Sequence, residues 1–179
     1  RLKGIAFGSG PGAFTGLRVA CGLAQGLGWA LNLPLIPVNT LLALAYVHHE
    51  TLEEGARLLA AIDARMHECY CAVFRYENKE FKEVTAPALC KPSELLAIAD
   101  DNGADFLCGN AFRIYADEIG NHAPKKLLST DDVNAQMIVP LAQKYFEENK
   151  TVDAAEASPL YVRDHVALTI EERKAEKSR

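Results

Sequence analysis

The stretch "GIAFGSGPGAFTGLRVACGLAQGLGWAL", residues 4–31, sets Gly8, Gly10, Gly12 and Gly16 in a short loop ahead of a long apolar run. A glycine-dense loop between a strand and a helix can turn its backbone N–H groups toward a phosphate, with the helix N-terminus behind them. Two phosphate motifs come close. Gly8-x-Gly10-x-x-Ala13 fits the relaxed dinucleotide fingerprint, but that motif also places an acid about twenty residues on for the ribose hydroxyls. The first acid of this chain is Glu50. A P-loop needs Gly-Lys-[Ser/Thr] to reach the outer phosphates. Here Thr15-Gly16-Leu17-Arg18 stands in that place, and no lysine occurs between Lys3 and Lys79. Gly8, Gly10, Gly12, Thr15 and Gly16 thus read as a vestigial phosphate loop, kept as a tight strand-to-helix turn.

The other residue types that do chemistry are scattered. His48 and His49 are adjacent, which puts them about 100° apart on a helix and unable to share a metal. His67, His122 and His165 have no partner at ligand spacing. The five cysteines, Cys21, Cys69, Cys71, Cys90 and Cys108, are odd in number and contain no CxxC pair. They read as small buried apolar residues of a protein from a reducing cytoplasm. No metal site and no catalytic residue is expected from this set.

Charge separates the chain into two parts. Residues 1–49 contain no Asp or Glu and carry +3 from Arg1, Lys3 and Arg18, whereas the whole chain carries −5. An acidic whole excludes broad nucleic-acid binding by this chain alone, which needs clustered Lys and Arg. The one basic doublet, Lys125-Lys126, reads as solvated surface. No signal peptide is expected, and no apolar run is long enough to span a membrane.

The elements that must position these residues follow from hydrophobic runs and breakers. Residues 4–7 form a short buried strand and Ala13 to Leu31 a helix closed by Asn32 and Pro34. Residues 34–38 form a second strand, and Thr40 to His49 a helix with Asn39 or Thr40 as its cap. Strand, loop, helix, strand, helix is an α/β crossover with parallel pairing. Composition changes at "TLEEGAR", residues 51–57. Beyond it, residues 58–63 and 68–77 form a hairpin, the second strand showing Cys69, Cys71, Val73 and Arg75 on one face and Tyr70, Ala72, Phe74 and Tyr76 on the other. A third strand spans residues 81–90. Helices are expected over "KPSELLAIADDNG", "AFRIYADEIG" and "DVNAQMIVPLAQKYFEENK", with a strand over 104–110 and an extended segment over 157–167. The expected units are residues 1–50, residues 51–167 and a polar tail, 168–179.

"GSGPGAFTGLRVACGLAQGLG", followed by "LPLIPVNTLLALA", "AAIDARMHECYCAVF" and "SPLYVRDHVA", resembles the TsaB (YeaZ) family in order and across nearly the whole chain. The resemblance implies an α/β protein of the actin-like ATPase (ASKHA) fold, two ribonuclease-H-like domains, the first incomplete at its N-terminus. The family opens with a three-stranded meander and a helix, about fifty residues at typical element lengths, which the chain is expected to lack. The implied function is that of a non-catalytic subunit for threonylcarbamoyl-adenosine modification of tRNA. It would bind and activate the catalytic subunit TsaD, with TsaE as a further partner, and form a homodimer in isolation. ATP and metal are expected on the partner subunits and none on this chain, and tRNA is met only through the complex. In TsaD-like relatives a His-x-x-x-His helix holds the metal; Thr40 and Leu44 stand at those positions here. The enzymatic alternative is a nucleotide-dependent phosphotransferase of the same fold that uses the glycine loop and Asp63, although an Asp alone in an Asp-Ala-Arg turn is more often a turn former.

The helix itself is the second candidate site. Ala13 to Leu31 carries one charge, Arg18, and one amide, Gln25, so it lacks the polar back of a surface helix. Val19, Leu23, Leu27 and Ala30 are expected against the domain's own sheet. Gly22, Gly26 and Trp29, with Arg18 and Gln25, are expected on a partner interface, the glycines allowing close approach of another helix; the alternative is that the N-terminal helix the chain is expected to lack covers this face in cis.

Overall fold

The computed structural model describes residues 2–163. His165, the end of the expected extended segment and the polar tail lie outside them.

The first unit is built on two parallel strands, β1 (Ile5–Gly10) and β2 (Leu35–Asn39), joined by the long helix α1 (Phe14–Leu31). Asn32, the expected stop, closes α1 in the left-handed region at φ 51°, and its N–H returns to the helix carbonyls. After β2, Asn39 caps α2 (Thr40–Tyr46): its side-chain oxygen accepts from the Leu42 N–H at 3.1 Å. Asn39 rather than Thr40 is therefore the cap.

The second unit is a six-stranded sheet. β3 (Arg57–Arg65) and β4 (Glu68–Glu77) pair antiparallel across a turn in which Arg65, Met66 and His67 all have positive φ. The alternation along β4 holds. Cys69, Cys71 and Val73 enter one core, and Tyr70, Ala72, Phe74 and Tyr76 the other. The expected third strand is two strands, β5 (Glu80–Glu83) and β6 (Ala88–Cys90), both paired with β4. Pro87 lies in the gap and has no N–H to give to a ladder. The Thr85 hydroxyl fills in there by accepting from the Val73 N–H at 2.8 Å.

The rest of the sheet is parallel. A single turn of 3-10 helix at Pro92–Glu94 leads into α3 (Leu95–Asp101), and β7 (Phe106–Cys108) then pairs with β3. The next expected helix is broken at Tyr115 into α4 (Ala111–Ile114) and α5 (Ala116–Ile119). β8 (Lys126–Ser129) pairs with β7 and was not expected. Its doublet is not solvated throughout. The Lys125 ammonium is largely buried, giving a hydrogen bond at 2.8 Å to the Ala104 carbonyl and an ion pair at 2.8 Å to Asp100.

α6 (Ala135–Glu147), capped by Asn134 and containing Pro140, returns to the first unit. Ile138, Leu141 and Ala142 pack with Ile36, Val38 and Ala43, on the face of the β1–β2 pair away from α1. Residues from both sides of the boundary expected near 50 thus build the first unit. α2 is the wedge between the units: Ala43 faces α6, while Leu41 and Leu44 enter the core on β3 and β4. Each of these fully buried leucines is worth about 1.5–3 kcal/mol of transfer free energy.

Candidate functional site

At the glycine turn, one glycine is irreplaceable on geometric grounds. Gly10 sits at φ 123°, and a Cβ there would lie 2.5 Å from the carbonyl oxygen of Leu160 and 3.1 Å from Leu17. The other glycines of the turn meet nothing closer than ordinary contact: 3.7 Å at Gly8, 3.5 Å at Gly12 and 3.9 Å at Gly16. Thr15 is exposed at the start of α1. What approaches Gly10 is the chain's own later segment. The Leu160 N–H also donates to the Ser9 carbonyl at 2.7 Å.

That segment runs on along α1 and across to the hairpin. The Ala157 carbonyl accepts from Gln25 Nε2 at 3.0 Å and from the Cys21 thiol at 3.6 Å. The Tyr161 hydroxyl accepts from Arg18 Nε at 3.1 Å, and the Arg18 guanidinium lies 3.8 Å over the Phe14 ring. Arg163 gives hydrogen bonds to Glu68 and to the Ala64 carbonyl. Gln25 and Arg18 therefore hold the chain to itself along one flank of α1.

The sequence expectation fails for the side of α1 that meets its own sheet, while Gly22, Gly26 and Trp29 face outward as expected. Leu17, Cys21, Ala24 and Gly28, at i, i+4, i+7 and i+11, are the buried positions. Val19, Leu23 and Leu27 are not against the sheet; they are 55%, 63% and 51% exposed, and Ala30 is exposed beside them. The reason is size. A Cβ on Gly28 would lie 2.6 Å from Leu35, so the helix rests so close to β2 that only small side chains fit between them. Gly22 and Gly26 are open, with nothing within 4 Å of a Cβ, and Trp29 is 77% exposed. The apolar outer face is thus wider than expected and includes Val19, Leu23 and Leu27. Aliphatic residues repeating on two sides of one helix left its orientation ambiguous; the small stripe ending at Gly28 was the available signal.

Asp63 lies across the cleft from the glycine turn, and its carboxylate is already occupied. Oδ1 accepts from the Tyr115 hydroxyl at 2.7 Å and from the Arg65 N–H at 2.9 Å, and Oδ2 pairs with Arg65 at 3.4 Å. Its own N–H donates to Asn110, whose amide donates to Asp132. Burial and then the hydrogen bond to Asp63 push the Tyr115 phenol up to about 12, so it stays a donor. The turn-forming reading of Asp63 fits this network. Asn110, Tyr115 and Asp132, absent from the sequence reading, complete it through contacts no local pattern announces.

The metal positions do not fit a metal. Thr40 is buried, and Leu44 is a core side chain without a donor atom. His48 bonds Ser129 at 3.0 Å and burial lowers its basicity; His67 pairs with Glu118 at 2.5 Å. Among the described residues no three His, Cys, Asp or Glu side chains converge as metal ligands. All five cysteines are buried and free. No described helix is long and apolar enough to cross a membrane.

A mixed α/β protein with a glycine turn ahead of a two-sided apolar helix is the class that fold and site define. Residues 1–170 match the family model described as "TsaD: tRNA N6-adenosine threonylcarbamoyltransferase". The tRNA threonylcarbamoyladenosine biosynthesis protein TsaB of Haemophilus influenzae is 33% identical over 176 residues, covering 93% of this chain and 72% of that protein. The TsaB of Escherichia coli K12 is 34% identical over 171 residues, with 93% and 73% covered. Among solved structures, YeaZ from Pseudomonas aeruginosa aligns with a TM-score of 0.74 at 34% identity, covering 89% of this chain and 74% of that one. The chain belongs to the TsaB (YeaZ) family.

Proposed function

We propose that this chain is a non-catalytic subunit in threonylcarbamoyl-adenosine modification of tRNA, and that it docks on and activates TsaD through the outer face of α1. The observation that carries this reading is that face: four apolar side chains, Val19, Leu23, Leu27 and Trp29, more than half exposed around two open glycines. An apolar patch of this kind marks a protein interface, and glycines four apart let a second helix come close. Docking would act by population shift, selecting the active form of TsaD. In this reading ATP and metal sit on TsaD and TsaE, the isolated chain pairs with itself through the same face in the cytoplasm, and tRNA is reached only through the complex. The fold is then the actin-like one, with two ribonuclease-H-like units. The names of the relatives support the pathway. The enzymatic alternative is weakened by the occupied Asp63 carboxylate and the filled Gly10.

Gly26→Glu tests the reading. It places a charge in open space, so the monomer folds as before while co-elution with TsaD is lost. Retention of both the TsaD complex and the homodimer in that variant would sink the proposal. Titration with ATP and Mg²⁺ is expected to show no binding by this chain alone.

A further inference from the structure

The glycine turn invites a different occupant from a phosphate. Leu160 already holds it: the N–H bonds the Ser9 carbonyl at 2.7 Å, and the carbonyl lies where a side chain at Gly10 would stand. From that seat the chain runs in two directions. Backward, Ala157 is tied to α1 through Gln25; forward, Tyr161 meets Arg18, and Arg163 is fastened to Glu68 beside the turn of the β3–β4 hairpin. The Arg18 guanidinium lies 3.8 Å over the Phe14 ring and 6.0 Å from the centroid of Tyr161, the two rings 5.6 Å apart. Only Nε of Arg18 is used, and its terminal nitrogens make no hydrogen bond among the described residues.

We propose that the glycine turn is the seat of a strap, Ala157–Arg163, and that the seated strap builds one end of the docking surface. The ledge of Phe14, Arg18 and Tyr161 adjoins the apolar outer face of α1. It takes a carboxylate of the approaching partner helix onto the terminal nitrogens of Arg18. This rests on the docking reading above and extends it to a segment about 150 residues away in sequence. Charge commits the partner chemistry: residues 1–49 hold no acid, and Arg18 is the one charge on α1. A guanidinium held over the Phe14 ring and tied through Nε to the Tyr161 hydroxyl is pre-organised for a bidentate carboxylate. The required partner is therefore an apolar helix with an Asp or Glu at the end facing the N-terminus of α1.

Hydrogen exchange and TsaD affinity test the two halves. In the unsubstituted chain the Leu160 amide is expected to be protected; exchange at an unstructured rate would overturn the seat. Gly10→Ala sets a methyl against the Leu160 carbonyl. The exchange of that amide is then expected to rise, and TsaD affinity to fall, about tenfold each, the worth of one good hydrogen bond. Alanine is also strained at this φ, so Tyr161→Ala serves as a second variant that leaves the turn alone. It should lower TsaD affinity about tenfold with exchange in α1 unchanged. If Gly26→Glu abolishes TsaD binding while both strap variants bind like the parent, the docking reading survives and the strap inference is overturned. If Gly26→Glu binds normally, the docking reading itself fails.

Discussion

The inner and outer faces of α1 are both apolar, yet they are built on opposite rules. The inner face descends in size, Leu17, Cys21, Ala24, Gly28, and ends where the helix nearly touches β2. The outer face carries the larger side chains, Val19, Leu23, Leu27 and Trp29, around open glycines. Hydrophobicity alone does not say which side of such a helix meets its own sheet. The close approach does, because a helix lying tightly on a sheet leaves room only for small residues.

The largest break in that comparison comes from exchanging sizes. Gly28→Leu forces a side chain into Leu35 and the Leu33 carbonyl, and is expected to lower the unfolding free energy by about 1–3 kcal/mol. Gly26→Ala on the outer face meets nothing and should gain as much as about 1 kcal/mol from helix propensity, while weakening TsaD binding. Denaturant unfolding of the two variants checks both. Equal losses in the pair would mean that the two faces have been assigned the wrong way round.

Far from α1, the contact between α6 and β5 gives the smallest effect and a control. Hydrogen bonds from Lys144 and Lys82 hold the Glu80 carboxyl down at about 2, against 4.5 for an unperturbed group. A carboxyl depressed by folding stabilises above its unfolded value and loses that contribution as pH falls through the folded one. The contribution is thus fully present above about pH 4.5 and fades toward pH 2. Glu80→Gln should flatten the acid limb of the stability curve slightly over that window and leave TsaD binding unchanged; an unaltered acid limb would discount the pairing.

Much of the framework was legible because its signals are local. Alternation set both faces of β4, and Asn32 and Asn39 marked helix ends. Where the sequence misled, the deciding contact was distant. The seat at Gly10 is filled by Leu160, the small stripe of α1 acquires meaning only against Leu35, and α6 joins a sheet built from the first forty residues. Pro87 was a local signal that a strand over 81–90 ignored. β8 was hidden by Lys125, whose charge suggested solvent but whose ammonium is spent on Ala104 and Asp100.

Trp29 makes the central claim directly measurable, since it is the chain's single tryptophan and lies on the outer face of α1. With fluorotryptophan incorporated, the chain gives one fluorine resonance, at first sensitive to solvent. On adding TsaD the resonance should shift and lose that sensitivity as the face is covered. A complex that forms while the Trp29 resonance stays solvent-exposed and unshifted would contradict docking through α1.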